Sequence, residues 1–155
     1  MAFLILILLI GGAALSILPA ATGPAVTDLP GSLDVDAGSI LRRYGQPAYS
    51  TRHILVYDGT FAEMAARVTF FFAEDRLSAV TFAFPTDGLT PSDLRRDADR
   101  VLKRMRVLHG RPVSSTRSEE FKTHSWNAPA GTMVHTVVYS PGRERHIVQV
   151  TRTAP

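Results

Sequence analysis

The chain has 155 residues, a net charge of +3 with neutral histidines, and no cysteine. This length suits one domain or two very small ones. The absence of cysteine excludes disulfides, iron–sulfur clusters, thiolate zinc sites and a lipid-modified lipoprotein cysteine. Arginines alternate with aspartates along a predicted helix, which is typical of a solvated, salt-bridged surface. Nucleic acid is therefore not an expected partner, because it requires a clustered basic face.

The N-terminal segment is continuously apolar over residues 3–10 and mostly apolar as far as residue 18, and residues 2–27 carry no charge. Its length and the small residues that follow predict a signal peptide over residues 1–21, cleaved near Ala20 or Ala21. A retained membrane anchor is the alternative, although a helix over residues 2–18 spans about 25 Å, slightly less than the hydrocarbon core. A buried core helix is a third reading. A cleaved signal peptide predicts a periplasmic domain, and a retained anchor predicts a domain held in the inner membrane and facing the periplasm.

A linker is predicted over residues 22–33, where Pro, Gly, Ala and Thr are frequent. Such a composition favours an extended, flexible chain that holds the following domain, residues 34–155, away from the membrane.

A motif of the form G-x-P-x-x-S-T-R occurs twice, at residues 45–52 and 110–117. Gly can end a helix in a left-handed conformation, and Pro just beyond it prevents the helix from continuing. A helical stretch precedes each copy and three predicted strands follow it. The sequence therefore predicts an α+β fold of two tandem α-β-β-β units, about 34–88 and 89–153, forming an antiparallel sheet backed by helices.

The predicted elements of the first unit are a helix over 36–44 and strands over 54–57, 67–73 and 76–84. Glu74 and Asp75 mark the turn of a hairpin, whereas residues 60–66 fit either a strand or a helical turn.

The second unit begins with a well-marked helix. Thr90 is a suitable N-cap, Pro91 suits the first helical position, and Asp93 is placed to complete a capping box. One apolar stripe is predicted, consisting of Leu94, Ala98, Val101, Leu102, Met105 and Leu108. The predicted strands cover residues 120–126, 132–139 and 145–151.

A helix ending in G-x-P, antiparallel strands and an export signal together resemble the β-lactamase-inhibitor-like superfamily. That group contains tandem-repeat inhibitory proteins and BamE-type (SmpA/OmlA) envelope lipoproteins. Residues 38–47, with Val68 to Phe72 downstream, carry the resemblance, and the doubled unit is closer to the inhibitory proteins. The chain lacks the lipidated cysteine of one type and the disulfides of the other. The resemblance implies a fold and an envelope location, and no binding residue is carried over from it.

No catalytic framework is visible in the sequence. There is no G-x-S-x-G elbow and no phosphate-cradling glycine loop. The adjacent carboxylates Glu119 and Glu120 would point to opposite faces of a strand. We therefore expect neither an enzyme nor a cofactor.

Five histidines are present, namely His53, His109, His124, His135 and His146. A symmetric hairpin around residues 127–130 would set His124 opposite His135, and such a pair could hold Zn²⁺ or Cu²⁺. No carboxylate has an obvious register to complete a set of three ligands. Two surface imidazoles are the simpler interpretation, so no metal site is predicted.

Consecutive phenylalanines at positions 70, 71 and 72 make both faces of one predicted strand aromatic. The strand is then part of a double-sided core, which is the commoner case, or it presents an aromatic surface to a partner. The candidate partner-binding residues are Phe70, Phe72, Phe82, Phe84, Trp126 and Tyr139.

The leading function predicted from the sequence is a non-enzymatic envelope protein that binds another envelope protein through this sheet, as an assembly factor, accessory subunit or inhibitor. One alternative is an accessory subunit of an inner-membrane complex, held in the membrane by residues 2–18. A carrier of a metal or small ligand is the alternative from another class.

Overall fold

A computed structural model describes residues 24–27, 33–86, 88–117, 121–128, 131–140 and 143–151, with side chains described up to residue 127 except at 121. The predicted signal or anchor segment lies outside these residues. No helix in the described part of the chain is long and apolar enough to cross a membrane. The elements are α1 (Ala37–Tyr44), β1 (Tyr49–Ser50), β2 (Ile54–Phe61), β3 (Met64–Ala73), β4 (Arg76–Ala83), α2 (Pro91–His109), β5 (Ser114–Arg117), β6 (Phe121–Ala128), β7 (Gly131–Ser140) and β8 (Arg143–Thr151).

The fold is α+β, as predicted, and the described strands form one antiparallel sheet in the order β1-β2-β3-β4-β8-β7-β6-β5. Strands β4 and β8 pair at its centre, and β1 and β5 lie at its edges. The sequence predicts three strands after each helix, whereas the structure has four. The difference arises because the residues after each G-x-P turn pair with the next strand and form a short strand of their own.

Both helices begin and end at the residues that the sequence marks. The Asp36 side chain accepts a hydrogen bond from the Ser39 amide at 2.7 Å at the start of α1. Thr90 and Asp93 form the predicted capping box of α2. Both helices stop at a glycine with positive φ, 74° at Gly45 and 77° at Gly110, a conformation that other residues adopt only with strain.

The buried face of α2 ends one turn before the helix does. Leu94, Ala98, Val101, Leu102 and Met105 are buried as predicted. In contrast, Leu108 is 44% exposed.

The two hairpins of the first half turn on residue pairs with positive φ. Ala62 and Glu63 join β2 to β3, and Glu74 and Asp75 join β3 to β4. Two successive positive φ values match the turn that favours the right-handed twist of a hairpin. The hairpin at Glu74 and Asp75 is confirmed, and the helical turn considered for residues 60–66 is excluded.

The core lies between the helices and one face of the sheet. Along β3, the buried residues alternate with half-buried ones, as expected for a strand with one covered face. The Tyr44 ring of α1 lies 5.8 Å from the rings of both Tyr57 and Phe70. Val101, Leu102 and Met105 of α2 belong to the same core.

Part of the predicted linker belongs to the domain. Val26 forms a parallel bridge with Gly59 at the open edge of β2, and the Thr60 amide donates to the Val26 carbonyl at 2.9 Å. Val26 is wholly buried, and Leu33 is buried too. The flexible chain predicted over residues 22–33 therefore does not describe these positions, where apolar side chains pack into the core.

Candidate functional site

The predicted aromatic surface is part of the core. Phe70, Phe72, Phe82, Phe84 and Trp126 are all buried. They lie on the sheet face that the helices cover, so their rings fill the space between the two layers. In the folded domain they are not available to a partner, which corrects the predicted contact surface.

The remaining aromatic residues of the prediction have other positions. Phe71 is half-buried between its buried neighbours, and a β-bulge interrupts the ladder between Phe71 and Phe72. Tyr139 pairs in register with Glu144 between β7 and β8, and its side chain lies outside the described residues.

Exposed apolar side chains gather instead where α2 ends. Val107 is 70% exposed, Leu108 is 44% exposed, and Val113 is 64% exposed. We call these three residues the α2–β5 patch. The Val113 amide donates to the Ser125 carbonyl at 2.8 Å, which fixes the chain beside β6. Exposed apolar groups concentrated in this way are a mark of interaction surfaces, whereas scattered ones are ordinary.

The stretch of chain that contains the patch is basic. Residues 100–117 contain six arginines and lysines and no aspartate or glutamate. The six are all exposed, and they are Arg100, Lys103, Arg104, Arg106, Arg111 and Arg117. The aspartates of α2 lie towards its start, where Asp93 forms an ion pair with Arg96 at 2.8 Å. The second half of α2 and the turn that follows it are therefore rich in exposed basic residues as well as exposed apolar ones.

Strand β5 lies beside the patch and forms an edge of the sheet. Its four residues are all exposed. It pairs with β6 on one side, and in the described part of the chain no strand lies beyond it. An edge strand presents backbone donors and acceptors that can pair with another chain. This surface was not predicted from the sequence, although the lack of acidic residues over 100–117 is a visible signal of it.

A second feature is the histidine pair. His124 and His135 lie directly opposite each other between β6 and β7, as the symmetric hairpin predicts. His124 is only 6% exposed, so it is not the surface imidazole of the simpler interpretation. Its Nδ1 lies 2.7 Å from the Ser115 hydroxyl oxygen. Burial lowers the pKa of His124, and the positive charges of Lys122 and Arg106 add to this effect.

Among the described side chains, no group of three His, Cys, Asp or Glu residues could hold a metal ion. The side chain of His135 is not among them. His53, in the first half, is exposed.

No protein-family model, curated protein or solved structure matches the chain. The resemblance to the β-lactamase-inhibitor-like superfamily therefore stays a prediction, based on the G-x-P motif and the order of elements.

Proposed function

We propose that this chain is a non-enzymatic envelope protein, exported or tethered by its apolar N-terminus, that binds another protein through the α2–β5 patch. The observation that carries the proposal is the concentration of Val107, Leu108 and Val113 beside an exposed edge strand. The role as assembly factor, accessory subunit or inhibitor is the one expected from the sequence, and the binding surface is new.

Burial of the patch would supply the affinity. Complete burial of a Val or Leu side chain contributes roughly 1.5–3 kcal/mol. Part of each patch residue is already covered, so the available gain is smaller. A partner strand added to β5 would supply main-chain hydrogen bonds, and side chains beside it would supply selectivity.

The charge around the patch indicates the chemistry of the partner. Six exposed basic residues and no acidic residue between positions 100 and 117 favour an acidic partner segment, and the exposed edge strand β5 favours an extended one. Complementary charge of this kind raises association rates more than it raises affinity, and salt screens it.

Local similarities between the two halves of the domain support the proposed tandem organisation. The helix-ending glycines share nearly the same conformation, with φ 74° and ψ −152° at Gly45 and φ 77° and ψ −154° at Gly110. Ala48 and Val113, each three residues further on, donate equivalent amide hydrogen bonds of 2.8 Å, to the Val56 carbonyl on β2 and the Ser125 carbonyl on β6. We infer a duplicated unit, as the resemblance implies, with four strands after the helix where the sequence predicts three.

The first half supplies a matched control, because its residues at the patch positions are different. With the 65-residue offset between the motifs, Val107, Leu108 and Val113 correspond to Arg42, Arg43 and Ala48. The triple variant Val107→Arg, Leu108→Arg, Val113→Ala gives the second half the residues of the first half at exposed positions. It should therefore fold while losing the apolar patch.

The test is site-specific photo-crosslinking in intact cells, with the photoreactive residue at Thr116 of β5. We expect a discrete crosslinked protein whose crosslinked peptide is acidic, and its loss in the triple variant. Leu41→Arg, at the corresponding turn of α1, should leave the crosslink unchanged. Equal crosslinking in the triple variant would overturn the proposal, as would the absence of any specific product.

The form of the N-terminus is decided separately by intact mass from the envelope fraction. A mass that corresponds to a chain beginning near Ala21 or Thr22 supports a soluble periplasmic protein. A full-length mass in the membrane fraction supports the alternative, an accessory subunit anchored through residues 2–18.

A further inference from the structure

Alternate side chains of β5 point to the side of the sheet that α2 covers. The Ser115 hydroxyl oxygen lies 2.7 Å from Nδ1 of His124, a buried residue of β6. Two residues along the same strand, the indole N–H of Trp126 donates to the carbonyl oxygen of Gly110, where α2 ends. Because side chains alternate between the two faces of a strand, Arg117 lies on the same side as Ser115.

Three basic side chains lie near the far end of β5. Arg117 and Lys122 are directly opposite each other between β5 and β6, and Lys122 is on the face of His124, two residues away. Burial lowers the pKa of His124, and the charges of Lys122 and Arg106 lower this pKa further, which places both charges near His124. We call Arg106, Arg117 and Lys122 the β5 basic cluster.

In the described part of the chain, no acidic side chain neutralises this cluster. The ion pairs between described residues involve the basic side chains of Arg67, Arg76 and Arg96. Like charges directly opposite on neighbouring strands destabilise the pairing. Lys122 is only partly exposed, and partly buried charges are screened less by salt. An anionic group bound beside Arg117 would relieve this repulsion.

The other end of the same edge is apolar. Val113 comes directly before β5 and is 64% exposed, and its amide donates to the Ser125 carbonyl at 2.8 Å. Arg117 follows four residues later, a distance of about 13 Å along an extended chain. The edge therefore changes from apolar to basic along its length, so the binding of an added strand should depend on the order of its residues as well as on its composition.

We propose that the partner segment pairs antiparallel with β5, with an acidic side chain in the β5 basic cluster and an apolar side chain against Val113. Antiparallel pairing is the more stable arrangement per residue, and the paired strands of the described sheet all use it. In this direction the acidic residue comes first along the partner, and the apolar one follows three or four residues later. The inference rests on the proposed function and adds the order and direction of the partner's residues.

The test uses three blocked, fluorescein-labelled peptides and the full-length chain in detergent, with binding measured by fluorescence anisotropy. Each peptide has seven residues, mainly threonine. The first has Glu at its second position and Val at its fifth and sixth, the second has the same residues in reverse order, and the third has Gln in place of Glu. We expect the first to bind about 5-fold more tightly than the other two at low salt. The difference should shrink at high salt, because salt screens the attraction.

Two variants locate the origin of this preference. Arg117→Glu should invert it, so that a peptide with Lys in place of Glu binds best. This variant should fold, because it sets a negative charge directly opposite Lys122, a favourable cross-strand pair. Arg106→Leu installs the residue of the first half, Leu41, at the corresponding position, and it should reduce the preference. Arg100→Glu is the control, since it reverses an exposed charge elsewhere on α2 and should leave the order of the three peptides unchanged.

Equal binding of the three peptides would overturn this inference and leave the proposed function standing, because binding through the patch does not require this order. Failure of all three to bind would also overturn it, while the crosslink at Thr116 tests the proposed function separately. A preference that emerges only in the double variant Glu119→Gln, Glu120→Gln would overturn it too. In that case the cluster would be occupied by the chain's own carboxylates, which follow β5 in the sequence.

Discussion

The hydroxyl group of Tyr57 donates a hydrogen bond of 2.9 Å to the carbonyl oxygen of Gly45, the residue at which α1 ends. The indole N–H of Trp126 donates in the same way to the carbonyl oxygen of Gly110 at 3.0 Å, where α2 ends. In each half, an aromatic residue of the second strand therefore fixes the end of the preceding helix. Different side chains make the same contact, so the position and its hydrogen-bond donor matter more than the residue type.

Removal of the Tyr57 hydroxyl should weaken this link without disturbing the ring. Tyr57→Phe keeps the packing against Tyr44 and Phe70, but it leaves the Gly45 carbonyl without this donor. We expect a loss of about 1–2 kcal/mol in the free energy of unfolding, measured by urea denaturation. Tyr49→Phe is the control, because Tyr49 is exposed on β1 and should change stability by less than about 0.5 kcal/mol. Equal effects of the two substitutions would contradict a role for the hydrogen bond.

The consecutive phenylalanines of β3 should differ sharply in their contributions. Phe70 is fully buried against Tyr44 and Tyr57, so Phe70→Ala should cost about 3–5 kcal/mol. Phe71 is only half-buried, and Phe71→Ala should cost clearly less. Comparison of the two variants by thermal and urea unfolding checks the assignment of Phe70 to the core. A folded Phe70→Ala variant of nearly native stability would make the Phe70 face of β3 a candidate contact surface again.

Local signals in the sequence predict the helices and the main hairpins well. Thr90, Asp93 and the two helix-ending glycines act within a few residues, and the structure has them in the expected roles. The opposition of His124 and His135 also follows locally, from a short symmetric hairpin.

Features that depend on distant residues were not predictable in the same way. The helices cover one face of β3, the strand that contains Phe70. Both faces of this strand carry apolar residues, so the sequence does not show which face is covered. The bridge between Val26 and Gly59 joins residues 33 positions apart, so composition alone indicates a linker. Periodicity did not mark the α2–β5 patch, because Leu108 has the spacing of a core residue although it is 44% exposed.

Gly59 is predicted to be essential for the attachment of the N-terminal segment. A side chain at this position would overlap the Val26 carbonyl group and the Val68 side chain. Gly59→Ala should therefore displace residues 24–27 and expose Val26, at a cost of roughly 1.5–3 kcal/mol for the lost burial.

Hydrogen exchange at one backbone amide reports whether residues 24–27 are displaced. The Thr60 amide donates to the Val26 carbonyl, so its hydrogen exchange should accelerate strongly in Gly59→Ala. Gly38→Ala is the control, because Gly38 lies in α1 where Ala favours the helix and its neighbours are in ordinary contact range. Retained protection of Thr60 in Gly59→Ala would show that the bridge does not hold this segment.

Because of the capping box of α2, part of the free energy of unfolding should depend on pH. The Thr90 hydroxyl and amide donate hydrogen bonds to the Asp93 carboxylate at 2.6 and 3.2 Å, and these bonds lower the pKa of Asp93 below 3.8. A folded-state pKa below the unfolded value means that the carboxylate stabilises the fold above about pH 3.8. This contribution is lost as the pH falls through the lowered pKa.

Asp93→Asn should therefore unfold at a lower temperature than the wild type at pH 7, with the difference shrinking as the pH is lowered from 5 to 2. The N-terminal end of a helix also favours a negative charge, which acts in the same direction. Asp99→Asn removes the same charge six residues further along α2, and its effect on the unfolding temperature should be small throughout. Thermal unfolding followed by circular dichroism at each pH measures both variants. A difference between wild type and Asp93→Asn that stays constant down to pH 2 would mean that ionisation of Asp93 does not stabilise the helix.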